Sequence, residues 1–305
     1  MGEIADALRR ARGIRMPGTD GRQAQAPAAA PERPREDPRL ESSPWEALPE
    51  LGQQVLERLA PTDPAIALSE GGVIEACRKV AVRVRSELET RGASSVAVVS
   101  AVRDEGKTTV ACNLAIALAS MSPGRQVALL DLDLRKPSIS RVLGLGASAG
   151  IEDVLHGRTR SADVQVSVRQ PALDVYPALA AQRHSHELLV LTRFARLIEQ
   201  LGRRYDMIVV DTPPVLLVPD ASLILKHVAT CIPIARAGTT RVRSFRDMVG
   251  ILPHQAVLGG LLNGGRAPSY YDNLYYSTDE ETKRERPPAG KTRREKRRER
   301  RAGKR

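Results

Sequence analysis

Aromatic residues are scarce. Phe, Trp and Tyr together make up 3% of the 305 residues. A folded core must therefore be built from Ala, Val, Leu and Ile, and the hydrophobic share of 42% is enough for one. Cysteine is scarce too. Cys77, Cys112 and Cys231 are odd in number, far apart and form no CxxC pair. That argues against a disulfide framework or a structural zinc site, and a reducing compartment is the natural setting. No run reaches the ~20 apolar residues of a membrane-spanning helix. The best candidate, Val110 to Met121, contains Asn113 and reads as a buried helix. Met1 to Arg12 is interrupted by charges and lacks the pattern of a secretion signal. Asp6 stands where an N-myristoylation signal wants Ser or Thr.

Positive charge is abundant but localised. The net charge is +11. Lys283 to Arg305 holds thirteen Lys or Arg against three Glu, a net of +10, so the rest of the chain is close to neutral. The length suits one α/β domain of roughly 200 residues plus tails.

Along the chain, residues 1–71 read as a disordered N-terminal region with a short amphipathic helix at 2–12 and a weak helical stretch from Pro49 to Leu59. An ordered domain is expected over 72–268, opening with a helix from Val73 to Arg91. Strands are expected at Ser95–Ala101, Gln126–Leu132, Leu173–Tyr176, Asp206–Asp211, Thr230–Arg236 and Ala256–Leu262. Helices are expected at Lys107–Met121, Glu187–Leu201, Asp220–His227 and Val242–Leu252. Apolar strands alternating with amphipathic helices predict an α/β fold, a mostly parallel sheet with helices on both faces. Pro233 sits awkwardly in its strand, where it removes a ladder hydrogen bond. Residues 269–280 carry a tyrosine cluster, and 281–305 form a basic tail without expected order.

Three motifs fall at strand ends. The first is Ser100-Ala101-Val102-Arg103-Asp104-Glu105-Gly106-Lys107-Thr108-Thr109, between a strand and a helix, the setting of a phosphate-binding P-loop. Backbone N–H groups of Asp104, Glu105, Gly106, Lys107, Thr108 and Thr109 would face the phosphates of ATP at the helix N-terminus. Lys107 would reach the β- and γ-phosphates, and the Thr108 hydroxyl would ligate Mg²⁺. Ala101 departs from the usual first glycine; the alternative is a loop-to-helix turn with an incidental lysine. The second motif puts Asp131 and Asp133 two apart at the end of a buried strand, where alternation would point both the same way. The alternative is a pair of solvated acids at a strand end. The third is an apolar strand ending at Asp211 and followed by Thr212-Pro213-Pro214, the form of a Walker B metal-orienting aspartate. Together the three predict a P-loop NTPase fold that binds ATP and Mg²⁺, with open-sheet ligand placement at the carboxyl ends of the strands.

These residues resemble the bacterial tyrosine kinases, P-loop autokinases of capsule and exopolysaccharide assembly. The resemblance rests on Ser100–Thr109, LLDLDLRKP at Leu129–Pro137 and VVDTPPVLLVPDA at Val209–Ala221. It extends to Gly150–Gly157, Ala235–Thr240 and Leu261–Gly264. It implies tyrosine autophosphorylation between neighbouring subunits on Tyr270, Tyr271, Tyr275 and Tyr276. It also implies that Asp131 orients or deprotonates the acceptor while Thr108, Asp133 and Asp211 hold the metal, and that Arg236 and Asn263 lie near the adenine. A homo-oligomer is implied through Glu75 and Arg78, although Ala81 replaces the second arginine of the family's E-x-x-R-x-x-R motif. Arg83 and Arg85 are the candidates to compensate. The family's N-P-x-E-L-L pattern becomes His184 to Leu189. The resemblance further implies a membrane adaptor of the polysaccharide co-polymerase type, a cognate tyrosine phosphatase, and a cytoplasmic protein peripheral to the inner face of the plasma membrane. The arginine-rich tail would favour an anionic membrane surface by about 1 kcal/mol per charge; the bland reading is a solubilising extension. Without interleaved aromatics to stack bases, no specific nucleic acid is expected. The competing readings are a partition- or positioning-type ATPase of the same fold and an ATP-binding scaffold with little or no kinase activity.

Overall fold

The computed structural model describes residues 54–66 and 72–265. The stretch 2–12, the tyrosine cluster and the basic tail lie outside the described residues. The strands are β1 (Gln54–Arg58), β2 (Ser95–Ser100), β3 (Val127–Asp131), β4 (Val166–Gln170), β5 (Leu173–Tyr176), β6 (Met207–Asp211), β7 (Thr230–Arg236) and β8 (Leu261–Asn263). They form one sheet in the order β1-β4-β5-β3-β6-β2-β7-β8. All neighbours are parallel except β4 and β5.

The central strands are apolar on both sides because both faces are covered. Ala97 and Val99 of β2, Ala128 and Leu130 of β3, and Ile208 and Val210 of β6 join one core cluster. The intervening Val96, Val98, Leu129 and Val209 join the other. The second face is covered by α1 (Gly72–Arg91) and α2 (Lys107–Met121). Helix α1 offers Ile74, Ala81, Val84 and Leu88, a stripe at helical spacing. Helix α2 is buried from Ala111 to Ala119 between α1 and the sheet, which its alanines permit. The short helices α3 (Ile139–Leu143), α4 (Ile151–His156), α5 (Ser161–Val164) and α6 (Ser185–Leu189) follow the central strands. Helices α7 (Thr192–Arg204), α8 (Asp220–Ile224) and α9 (Val242–Ile251) complete the first face. There α7 and α9 supply the two fully buried phenylalanines, Phe194 and Phe245.

Several expectations change. Pro49–Leu59 reads as weakly helical, yet Gln54–Arg58 is a strand paired with β4. The edge offered by the β4–β5 hairpin decides it, since QVLER suits either state and strand propensity depends on context. The described structure thus begins well before residue 72. Leu59 and Ile66 are buried, and the Asn113 amide of α2 donates to the Ala65 carbonyl. The single helix expected over Glu187–Leu201 is two, because Leu191 is extended and α7 restarts to aim Phe194, Leu197, Ile198 and Leu201 at the sheet. The strand expected over Ala256–Leu262 is a 3-10 turn at His254–Ala256, one bridge at Val257, and β8. Gly259 and Gly260 separate the last two. Pro233 is tolerated because the Cys231 carbonyl and the Ala237 N–H both face β8. Alternation then puts the Pro233 nitrogen on that same side, in the gap between Val257 and Leu261.

Candidate nucleotide site

Three strand tips are bound to one another by their own backbones. Asp131 and Asp211 are register partners on β3 and β6. The Leu132 N–H donates to the Asp211 carbonyl at 3.0 Å, and the Val215 and Leu216 N–H groups donate to Ser100 and Ala101 at the end of β2. The phosphate loop therefore leaves β2 beside both acidic tips.

The loop explains its missing glycine. Its left-handed residues are Asp104 (φ 61°) and Gly106 (φ 89°), not Ala101. Asp is among the few side chains that visit this region readily. Gly106 is favoured by its left-handed φ, and a Cβ there would also lie 2.2 Å from the Asn263 amide nitrogen and displace it. The loop is also clamped from behind. The Glu105 carboxylate is buried, accepts the Val102 N–H at 2.9 Å and takes the Thr240 hydroxyl. Arg236 donates to the Asp104 carbonyl at 2.9 Å and Asn263 to the Glu105 carbonyl at 3.1 Å. The Glu105 side chain is thus turned away from the phosphate side and serves the loop from within.

In front of the loop lies a cavity of about 420 Å³, within the range of small-molecule sites. Asp104, Gly106, Lys107, Thr108 and Thr109 line it, with Asp133, Arg135 and Arg236. Sequence reasoning missed several lining residues, among them Arg103, Asp63, Ser138 and Arg141. Asp63 had no signal, since it precedes the expected domain. The Thr62 N–H and hydroxyl fix that segment to the Val142 and Arg141 carbonyls.

Thr108 and the acids form one constellation. The Thr108 hydroxyl donates to Asp211 Oδ2 at 2.5 Å and lies 3.0 Å from the Ser138 hydroxyl. Asp131 Oδ2 accepts the Ser138 and Ile139 N–H groups, both at 3.0 Å. Asp131 Oδ1 is buried without a partner. Burial first, and then the neighbouring Asp211, push the Asp131 carboxyl well up. Burial raises Asp211 to about 7 against the pull of Thr108 and Lys107. Asp133 is raised by burial, opposed by Lys107.

Alternation along β3 does not govern the Asp131–Asp133 pair, because the strand ends at Asp131. Asp131 is fully buried, whereas Asp133 follows in a turn and lines the cavity. Of the two, Asp133 is therefore the carboxylate that meets the cavity.

An orphaned carboxylate oxygen, a second carboxylate with a raised pKa and a threonine hydroxyl fit a hard cation such as Mg²⁺. Among the described residues no group of three or more His, Cys, Asp or Glu is arranged to hold a metal. Mg²⁺ typically takes one or two carboxylates and completes its shell with waters and phosphate oxygens.

Glu75 and Arg78 form a half-exposed ion pair at 3.5 Å on α1. Ala81 is 1% exposed and faces the core, so it presents nothing to a neighbouring subunit. Arg85 reaches the Met121 carbonyl at 3.5 Å.

The fold and the loop define a P-loop nucleotide-binding protein. A ParA family model, described as an NUBPL iron-transfer P-loop NTPase, matches residues 93–227. The chain is 31% identical over 177 residues to the tyrosine-protein kinase wzc of Salmonella typhi, covering 56% of this chain and 24% of that protein. It therefore spans about a quarter of that longer relative. It is 29% identical over 218 residues to the tyrosine-protein kinase YwqD of Bacillus subtilis, covering 70% and 91%. Against the solved VpsO kinase domain the identity is 30%, with 64% of this chain and 96% of that one covered and a TM-score of 0.56. The chain belongs to the bacterial tyrosine kinase family.

Proposed function

We propose that the protein is an Mg·ATP-dependent tyrosine autokinase that regulates capsular or exopolysaccharide polymerisation and export. One observation carries this reading: Lys107, Thr108, Asp131, Asp133 and Asp211 converge at one sheet edge beside a cavity of nucleotide size. Loop N–H groups and Lys107 take the phosphates. When bound, Mg²⁺ neutralises charge on the β- and γ-phosphates, held by Thr108 and Asp211 with Asp131 beside them. Asp133, with its raised pKa, takes the proton of the acceptor hydroxyl as that oxygen bonds to the γ-phosphorus. The bond from the γ-phosphorus to its bridging oxygen breaks, and ADP leaves with the electron pair.

The acceptors come from outside the described residues. Of six tyrosines, Tyr176 and Tyr205 are 1% and 3% exposed, and their hydroxyls lie 2.8 Å apart. Tyr270, Tyr271, Tyr275 and Tyr276 remain. A homo-oligomer, a membrane adaptor, a tyrosine phosphatase and a peripheral position at the inner membrane face complete the proposal. Among the described residues no helix is long and apolar enough to cross a membrane.

The test is phosphopeptide mapping of purified protein given Mg·ATP, with a candidate adaptor if needed. Label on the four tyrosines, lost in Lys107→Met, is expected. Label confined to Ser or Thr would sink the proposal. The match to the ParA model favours one second reading, a positioning-type ATPase. ATP-dependent dimers that hydrolyse ATP without phosphotyrosine would select it.

A further inference from the structure

Arg135 lies two residues beyond Asp133, and its side chain lines the cavity together with Lys107. Its Nε and Nη2 donate to the two oxygens of Asp220 at 3.2 and 3.1 Å. The Asp220 side chain is 1% exposed and that of Arg135 30%. Asp220 also accepts the hydroxyl of the buried Ser185. The loop bearing Arg135 is tied down twice more. Arg135 Nη1 donates to the Arg183 carbonyl at 3.4 Å, and the Gln182 N–H donates to the Leu134 carbonyl at 2.7 Å.

Here the carboxylate is buried and the cation stays open toward the cavity. A guanidinium has five N–H donors in a fixed fork. Three are engaged, which leaves one on each Nη nitrogen. Asp220 fixes the plane of the fork, and Ser185 fixes Asp220. The segment His184 to Leu189 thereby gains a purpose that its sequence did not disclose. Phosphoryl transfer places charge on three equatorial oxygens, and Lys107 supplies a single point charge. A planar fork meets two such oxygens, as a lysine cannot.

We propose that Arg135 is a second cation for the γ-phosphoryl group during transfer, with Asp220 and Ser185 as the residues that position it. The proposal rests on the cavity being a triphosphate site.

Three quantities test it on full-length protein: affinity for Mg·ATP from titration with a fluorescent ATP analogue, the rate of γ-phosphoryl transfer at saturating ATP, and the thermal midpoint. Transfer is followed to tyrosine and to water in the same preparation. Arg135→Lys is expected to slow transfer by about 10²-fold or more, while affinity changes less than about threefold and the midpoint holds. Asp220→Asn keeps the cation but frees its fork, so a smaller rate loss with retained affinity is expected. A wild-type rate in Arg135→Lys overturns the proposal. So does a rate loss that merely follows lost affinity or lost folded protein in both variants. Absence of phosphotyrosine in the wild type would defeat the kinase reading alone, since the hydrolysis ratio still measures what Arg135 does.

Discussion

Asp174 on β5 and Asp131 on β3 sit on adjacent strands of one sheet, with Leu130 paired to Tyr176 and Ala128 to Asp174. Their surroundings differ. Asp174 Oδ1 accepts the Ser167 hydroxyl at 2.6 Å, and its Oδ2 accepts the Tyr205 hydroxyl at 2.7 Å with Arg204 at 3.7 Å. Tyr205 in turn meets Tyr176, which donates to Gln165 at 3.1 Å. Burial drives the hydroxyl of Tyr205 well above the ordinary phenol range and raises that of Tyr176, so both stay neutral. Every polar atom in that cluster has work to do inside the fold. Asp131 satisfies one oxygen and leaves the other empty beside a second carboxylate. A buried polar group left unpaired costs free energy. A closed network belongs to stability, and an open one to a ligand.

Mutation should separate the two. Asp131→Asn is expected to cut phosphoryl transfer by at least about 10²-fold. It should leave the free protein as stable or more so, because it removes a like charge from Asp211. Rates and denaturant midpoints on one preparation check both halves, and a destabilised variant would break the contrast. Tyr205→Phe should do the reverse. Asp174 loses a donor inside the fold, at about 1–3 kcal/mol, read as a lower urea midpoint with Mg·ATP affinity unchanged.

Proton linkage sharpens the contrast further. Asp211 is raised from 3.8 to about 7 and Asp131 is raised with it. The folded state then binds more protons than the unfolded one between about pH 4 and 7, so the nucleotide-free protein loses stability as pH rises through that window. Metal binding needs the deprotonated acids. Mg·ATP should therefore release protons near pH 6–7, seen as a dependence of calorimetric heat on buffer ionisation enthalpy. No proton release would mean that the acids are already ionised. The smallest effect serves as a baseline. Glu75→Ala breaks a half-exposed pair and should change stability by less than about 0.5 kcal/mol. A changed oligomer mass by light scattering would then report on assembly rather than on folding.

The central part of the fold was readable. Helix α2 and strand β7 have the expected bounds, Lys107–Met121 and Thr230–Arg236, because long apolar segments bounded by motif residues leave little choice. Strands β1 and β4 were not read. QVLER and VSVRQ are short, partly polar and stabilised by each other's backbones. Lys107, Thr108, Asp133 and the loop were legible as motifs, and the structure brings them to one cavity. The backbone N–H of Glu105 was read as phosphate-facing, and the task of its side chain was not read. Its partner Thr240 lies 135 residues away, a distance over which no local pattern operates.

The candidate site's parts were legible in the sequence alone. A lysine and a threonine at a strand-to-helix turn, and acids at two apolar strand ends, are local arrangements that backbone geometry gathers into a candidate phosphate and metal site. Which carboxylate is sealed in and which meets the cavity was decided only in three dimensions, because burial depends on where β3 stops. The same holds for the fork of Arg135: its partner Asp220 lies 85 residues further on, and only the packing of α6 and α8 against the β3 loop puts the two together.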